Sequence, residues 1–222
     1  MSIEAVCGVL THVDGSSQVE WNDTKVLCSV TGPIEPKARQ ELPSQLALEV
    51  IIRPAKGVSS TREKLMEDKL RSVLTPIITL YQYPRQLCQI TCQILESGES
   101  EYEFSEKELS CCINAAFLAL IDAGIALKST VSSISLVISQ NNEVIVNPTG
   151  AQLLNSRSVH ILALELIKEM NIVNNVLLLD SNGDFNEKEL FQVLETGEKS
   201  CLALGQDLRK VIQNNVDSNI IQ

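Results

Sequence analysis

The chain has 222 residues, of which 44% are apolar and 4% are aromatic, and its formal net charge is −10. This length is enough for one large domain or two small ones with a substantial, mainly aliphatic core. The negative charge argues against an autonomous nucleic-acid-binding protein, because a polyanion is repelled unless a local basic patch or a partner subunit reverses the field.

The first third of the chain has the pattern of a β-meander. Three short β-rich runs are separated by the turn pairs Asp14-Gly15 and Asn22-Asp23, and Gly32-Pro33 breaks the third run. A fourth strand precedes a break at residues 54–57. The predicted strands are 6–13, 17–21, 24–30 and 47–53.

Two helices are predicted in the centre. The first begins near Thr61, and Pro76 should kink or end it near its last turn. The second is almost entirely apolar and runs from a capping box, Ser105 with Glu108, to Gly124 at its C-terminal cap. Such a helix must be enclosed between two layers. The apolar face of the first helix comprises Leu65, Met66, Leu70, Val73, Leu74 and Ile77.

The remaining elements alternate strands with one more helix. Strands are predicted at 86–95, 134–138, 144–146, 161–166 and 175–179, and an amphipathic helix at 185–216. This mixed order indicates an α+β fold. No linker-like tract divides the sequence, so we expect a single domain over residues 1–222.

The cysteines and histidines do not indicate a metal site. The seven cysteines are odd in number and include no Cys-x-x-Cys pair, and His12 and His160 are far apart in sequence. We expect reduced, buried thiols in a nuclear or cytosolic protein, with no metal and no cofactor. The N-terminus lacks the basic region of a signal peptide and no apolar run reaches about 18 residues, so we expect a soluble intracellular protein without a membrane partner.

The segment LESGESEYEFSEKE (residues 95–108) crowds glutamates into a loop between two apolar elements. Crowded carboxylates can bind magnesium or do acid–base chemistry, and they can also belong to a solvated loop. Such a cluster would repel phosphate, and the capping box already accounts for the start of the helix. We therefore interpret the glutamates as a solvated loop and not as a site.

A second acidic segment, DSNGDFNEKEL (residues 180–190), has the spacing of an EF-hand loop at its first, third and fifth positions. However, Gly183 comes two residues too early, and the twelfth position is Phe191. We interpret the segment as a tight turn before the last helix, which Asn186 caps. A calcium-binding module would show a metal-induced increase in stability, which we do not expect.

Several motifs together resemble the RNase PH family. HVDGSSQVEWNDTKVLCSVTGPIEP is similar to its N-terminal hairpin signature, YPRQLCQITCQIL and INAAFLALIDAGIAL to its central strand and buried helix, and FNEKELFQVLETGEKSC to its terminal helix. Within the family, GPIEPKARQELP, REKLMEDKLRSVLTPII and CQILESGE most resemble the ring subunits of the eukaryotic, yeast-type RNA exosome.

The resemblance implies an RNase PH-like fold of two βαβα-type lobes with mixed sheets and buried helices, and a ring of six such subunits. In active relatives inorganic phosphate attacks the 3′-terminal phosphodiester of RNA. This chemistry requires cations for the phosphate, carboxylates for magnesium and a basic path for the RNA.

Three positions implied for phosphate binding carry unsuitable residues here. The Thr-Arg pair at the start of the buried helix falls on Glu108 and Leu109, and a second phosphate-handling Arg falls on Asp68. A charge reversal beside an incoming dianion is costly in a dry site.

The implied magnesium segment reads VIVNPTGAQLL, with Asn147 in place of the first acid and Gln152 and Leu153 in place of the later pair. Without net negative charge, magnesium is held poorly. Lys37 and Arg39 are candidates for backbone contacts to RNA, because the corresponding loop of ring proteins borders the pore. Arg53, Arg62 and Arg85 are weaker candidates.

The sequence therefore predicts a structural, catalytically inactive ring subunit that supports 3′-to-5′ RNA processing and turnover, including rRNA processing, and lines part of the RNA path. Its implied partners are other RNase PH-like ring subunits, S1/KH-type cap subunits and RNA through the complex. The implied locations are nucleus, nucleolus and cytoplasm. The alternative is an active phosphate-dependent exoribonuclease with a rearranged site using Asp68, Glu96 or Asp122.

Overall fold

The computed structural model describes residues 3–100, 102–167 and 170–220, and this part of the chain forms nine strands and four α-helices. The first lobe consists of β1 Glu4–Cys7, β2 Gly15–Trp21, β3 Thr24–Ile34, β4 Ala47–Arg53, α1 Thr61–Ile77, β5 Leu87–Glu96 and α2 Glu106–Asp122. The second consists of β6 Thr130–Ser139, β7 Val144–Val146, α3 Gly150–Leu154, β8 Ser156–Ile167, β9 Ile172–Gly183 and α4 Glu187–Ile220. The predicted α+β class is confirmed.

The strands form two sheets with different connectivity. The first sheet has the order β1-β2-β3-β5-β4, in which only β4 and β5 are parallel, because α1 crosses between them. The second sheet has the order β7-β6-β8-β9 and all its described pairings are antiparallel.

Helix α2 lies between the two sheets, as its all-round apolar sequence predicts. The Ser17 hydroxyl in the first sheet donates to the carbonyl of Ala115 at 2.7 Å. On the other side, the side chain of Asn114 donates to the carbonyl of Ser133 and accepts from its amide. The adjacent Ser132 bonds to Cys201 of α4, so α4 covers the opposite face of the second sheet.

Close approach of β2 to the end of α2 requires a residue without a side chain. A Cβ atom on Gly15 would lie 2.3 Å from the backbone nitrogen of Ala123 and 2.4 Å from the carbonyl oxygen of Ala119. Helix α2 then ends as predicted, with Gly124 in the left-handed conformation just after the cap.

Several predicted boundaries are wrong. The first strand ends at Cys7 and does not reach residue 13, since the chain turns away there and the Gly8 amide donates to the Ser16 carbonyl. Strand β3 continues through Gly32-Pro33 to Ile34, because Pro33 needs no ladder hydrogen bond and the Gly32 amide donates to Asp14.

Other differences concern exposure and the second lobe. Leu65 does not join the buried face of α1, since 54% of it is exposed. Strand β9 extends to Gly183 and not to the predicted end at residue 179, so the tight turn before the last helix begins later than predicted. The short helix α3 was not predicted.

Six of the seven cysteines are buried, as predicted, and Cys7 is half-buried; none of them forms a disulfide bond. Within the described chain, no helix combines the length and apolar character needed to cross a membrane.

Candidate functional site

The N-terminus of α2 is capped by a residue from the acidic loop, and not by Ser105. The carboxylate of Glu99 accepts hydrogen bonds from the backbone amides of Glu108 at 3.0 Å and Lys107 at 3.3 Å. The Ser105 side chain makes no capping bond. The predicted capping box is therefore wrong, and an internal carboxylate occupies the position where a helix N-terminus favours an anion.

The other member of the predicted capping box, Glu108, forms an ion pair with α1. The Arg62 guanidinium donates to the fully buried Glu108 carboxylate at 2.6 Å and to Glu63 at 3.0 Å. It also donates twice to the carbonyl of Phe104, at 2.6 and 3.1 Å. Arg62 thus connects the first turn of α1, the end of the acidic loop and the first turn of α2.

The pKa values of two charged residues at the N-terminus of α2 are shifted. Burial, with the nearby charges of Glu108 and Glu106, raises the pKa of Glu99 to about 8 despite its two backbone hydrogen bonds. Burial also lowers the pKa of Lys107, whose ammonium donates to the carbonyl of Gly98. A loop with an enclosed carboxyl group is not the solvated loop that the sequence predicted.

The loop is packed tightly against the β2–β3 turn. Gly98 has a φ of 66°, and a Cβ atom there would lie 2.5 Å from Thr24 Oγ1 and 2.7 Å from the carbonyl oxygen of Asp23. The Thr24 hydroxyl donates to the carbonyl of Ser97. A Cβ atom on Gly150 would lie 3.0 Å from the Gly98 carbonyl oxygen, so the loop also lies against the start of α3.

The residues in the implied magnesium positions lie beside this loop and serve local structure. The Asn147 backbone donates to Ser135 and accepts from the side chain of Asn22. The Gln152 side chain accepts from the backbone and hydroxyl of Thr149, which caps α3. Leu153 is buried in a small apolar cluster with Val137 and Val159. Two amides and an alkyl group provide no charge for a divalent cation.

The two residues in the other implied phosphate positions also have structural surroundings. Leu109 is 1% exposed and belongs to the main core. Asp68 lies on the exposed side of α1 and pairs with Arg71 one turn later. Within residues 3–100, 102–167 and 170–220, no group of three or more His, Cys, Asp or Glu side chains is arranged so that it could hold a metal ion.

The acids of the alternative site are not brought together. Asp122 lies at the far end of α2, about 21 Å along the helix from Glu108. There its carboxylate accepts from the Ser16 amide at 2.9 Å and from the Asn215 side chain at 3.3 Å. Glu96 is exposed at the end of β5, and Asp68 points outward from α1.

Lys37 and Arg39 lie at the opposite end of the first sheet from the acidic loop. Strand β3 pairs Lys25 with Glu96 at one end and Ile34 with Leu87 at the other, a separation of about 30 Å. Both candidate cations follow Ile34 and are exposed. Among the weaker candidates, Arg62 is occupied as described, Arg85 pairs with Glu41, and Arg53 is exposed at the end of β4.

The residues of the EF-hand-like segment form ion pairs and a helix cap within the chain. Asp180 pairs with Lys69 of α1, and Arg157 pairs with Glu189 at 2.5 Å. Asn186 caps α4 as expected, since its side chain accepts from the Glu189 amide and its amide donates to the Glu189 carboxylate.

Sequence reasoning missed Glu99 and the pairing of Arg62. One signal was present: Glu99 follows a glycine, Gly98, that permits the sharp turn back toward α2. The partner of Arg62 was hidden by the 46 residues that separate it from Glu108.

Known proteins resemble this chain over nearly its whole length. The model of the 3′ exoribonuclease family, domain 1 (RNase PH), matches residues 2–126. The exosome complex component RRP46 of Saccharomyces cerevisiae is 64% identical over 222 residues, covering 100% of both chains. The exosome complex component rrp46 of Schizosaccharomyces pombe is 31% identical over 92% of this chain and 87% of its own length.

Solved structures show the same fold at lower identity. The crystal structure of rice (Oryza sativa) Rrp46 gives a TM-score of 0.83 at 24% identity, over 95% of this chain and 93% of that chain. The archaeal exosome core gives 0.72 at 15% identity, over 94% and 86%. Since the family model matches more than half of the chain and a full-length relative is 64% identical, the chain belongs to the RNase PH family of 3′ exoribonucleases.

Proposed function

We propose that this chain is a structural, catalytically inactive subunit of an RNA exosome ring, and that it supports 3′-to-5′ RNA processing and degradation by the complex. The proposal of a ring subunit is supported by full-length identity of 64% to an exosome component. Its partners would be other RNase PH-like subunits, S1/KH-type cap subunits and RNA in the assembled complex.

The inactivity is carried by one observation: Glu99 occupies the N-terminus of α2, where the resemblance implies phosphate binding. A phosphate dianion would have to displace this carboxyl group and then lie beside the buried Glu108, whose guanidinium partner Arg62 also pairs with Glu63. Coulomb repulsion at a few ångströms in a dry environment opposes such binding.

Incubating the purified chain with 3′-extended RNA, phosphate and Mg²⁺ tests the inactivity. We expect no release of nucleoside diphosphates above a no-protein blank, while an active phosphorolytic RNase PH protein in parallel produces them. Phosphate-dependent turnover that survives further purification would contradict the proposal.

Co-purification tests the ring. We expect a tagged copy of the chain to leave the cell with other RNase PH-like and S1/KH-type proteins in equal stoichiometry, from nucleus, nucleolus and cytoplasm. Recovery as a monomer from gently lysed cells would contradict the assembly, and imaging that places the chain elsewhere would contradict the location.

A further inference from the structure

A cavity of about 290 Å³ lies between α4, the end of β2 and the strands β6 and β7, and we refer to it as the Trp21 cavity. Its strand side is lined by Trp21 of β2, Ile134 of β6 and Val146 of β7. Its helix side is lined by Ser200, Ala203, Leu204 and Asp207. These four residues have the spacing i, i+3, i+4 and i+7, which places them on one side of α4.

Small side chains on α4 account for the cavity. The Ser132 hydroxyl, on the same face of β6 as Ile134, donates to the carbonyl of Cys201 at 2.9 Å and so holds α4 against the sheet. Beside this contact, Ser200 and Ala203 are too short to fill the space opposite Trp21. Ala203 is exposed, so the cavity opens to solvent there. An apolar cavity of about 150 Å³ takes up benzene, so this one has room for a substituted ring.

The carboxylate and the hydroxyl group of the lining already have partners. The Asp207 carboxylate accepts from the ammonium group of Lys210 at 2.7 Å. The Ser200 hydroxyl donates to the carbonyl of Thr196 at 2.9 Å. The cavity therefore offers no uncompensated charge, and a charged ligand would lose its hydration without gaining a new ion pair.

The indole of Trp21 has the side-chain donor of this lining that lacks an acceptor. Trp21 is 5% exposed and belongs to the main core, and its Nε1 is buried with no hydrogen-bond partner in the described part of the chain. A buried N–H group without an acceptor costs free energy, and an indole nitrogen can only donate. The missing partner is therefore a hydrogen-bond acceptor, and its source lies outside the described residues.

We propose that the Trp21 cavity binds a small, uncharged and mainly apolar molecule that carries a carbonyl group. The apolar body packs against Ile134, Val146 and Leu204, and the carbonyl oxygen accepts from Trp21 Nε1. Because Nε1 is covered in this structure, binding includes a rotation of the indole ring toward the cavity. Nucleotides fit less well, since a phosphate group finds no uncompensated cation in the lining. This binding goes beyond the proposed structural role and does not depend on it.

NMR spectroscopy of the full chain tests the proposal, because Trp21 is its only tryptophan and gives a single indole N–H signal. Acetophenone is titrated into ¹⁵N-labelled protein. The matched ligand is α-methylstyrene, in which a methylene group replaces the carbonyl oxygen. We expect acetophenone to move the indole proton signal saturably to higher frequency, as a new acceptor does, and α-methylstyrene to move it less.

Three variants separate the hydrogen bond from the cavity. Trp21→Phe removes the N–H group but keeps an aromatic ring, and it should weaken acetophenone by about threefold to tenfold relative to α-methylstyrene. Ala203→Leu narrows the mouth at an exposed helix position that suits leucine, and it should weaken both ligands by about tenfold or more. Ala203→Ser keeps the mouth open and should retain both. Saturation-transfer NMR of the ligand signals measures binding to each variant.

The proposal is overturned if the indole signal does not move up to the solubility limit of acetophenone, or if both ligands move it equally. It is also overturned if Trp21→Phe weakens the two ligands to the same extent, or if Ala203→Leu binds them as the wild type does.

Discussion

The carboxyl group of Glu99 accepts hydrogen bonds from the backbone amides of Lys107 and Glu108 at the N-terminus of α2. Its pKa of about 8 lies above the ordinary value of 4.5 because the group is buried beside other acids. The folded chain therefore holds a proton over a pH range in which the unfolded chain has released it. The stability from this group is fully present below pH 4.5 and is lost as the pH rises through 8.

We predict that Glu99 lowers the free energy of unfolding of the wild type between pH 6.5 and 8, by at most about 1.4 kcal/mol per pH unit. Glu99→Gln imitates the protonated form and should flatten this slope. Urea unfolding at a series of pH values measures it. Glu103→Gln changes an exposed residue of the same loop and should keep the wild-type slope.

The pH range above 6.5 lies outside the range in which a second buried group, His160, changes its protonation. Burial lowers the pKa of His160 to about 4, so His160 removes stability as the pH falls from 6.5 toward 4, which has the opposite sign. An equal slope in wild type and Glu99→Gln above pH 6.5 would contradict the raised pKa of Glu99.

For individual residues, the sequence predicted the burial of apolar side chains better than the partners of charged ones. The spacing of Ser105 and Glu108 fits a capping box, but Arg62 and Glu99 compete for the same groups from distant parts of the chain. The local spacing of residues does not reveal such tertiary contacts. The sequence therefore has the pattern of a capping box, but the structure does not form one.

Helices α1 and α2 are joined at their N-termini by Arg62. Its partner Glu108 is fully buried, and a buried carboxylate that loses a guanidinium partner is strongly destabilised. We predict that Arg62→Met reduces the free energy of unfolding by about 3–5 kcal/mol. The double variant Arg62→Met with Glu108→Met should recover part of this loss, because it leaves no buried charge at the pair.

Chemical denaturation of the two single variants and the double variant gives the coupling energy between the residues. Arg71→Met is the matched control, since it removes an exposed one-turn ion pair with Asp68 and should cost at most about 0.5 kcal/mol. Additive effects of Arg62→Met and Glu108→Met would contradict the contact.

For whole elements, hydrophobic periodicity predicted the three long helices and most strands, while their ends depended on tertiary structure. Strand β9 runs to Gly183 because it pairs along the whole of β8, and residues 180–183 resembled a turn only in isolation. The buried helix α2 was predictable because nearly every position is apolar, which leaves it no solvent-exposed face.

At the level of the whole molecule, the two ends of the first sheet differ in the charge of the residues near them, and therefore in their suitability for binding RNA. The end near the first turn of α2 carries the half-buried Glu99 and the buried Glu108, whereas Lys37 and Arg39 are exposed about 30 Å away. The resemblance selected these two cations, and the sequence alone could not place them relative to the acidic loop. Their role remains a prediction.

We predict that Lys37→Ala and Arg39→Ala weaken RNA binding by an assembled complex containing this chain. Each cation that contacts a phosphate releases about one counterion, so the slope of log K against log salt should decrease by about 1 per residue. Filter binding of single-stranded RNA at several salt concentrations measures the slope. Lys56→Ala is the control at an exposed lysine outside this loop. Because the net charge of −10 repels RNA from the isolated chain, the effect should appear only when partner subunits provide the rest of the basic path. An unchanged slope in the assembled complex would remove Lys37 and Arg39 from the RNA path.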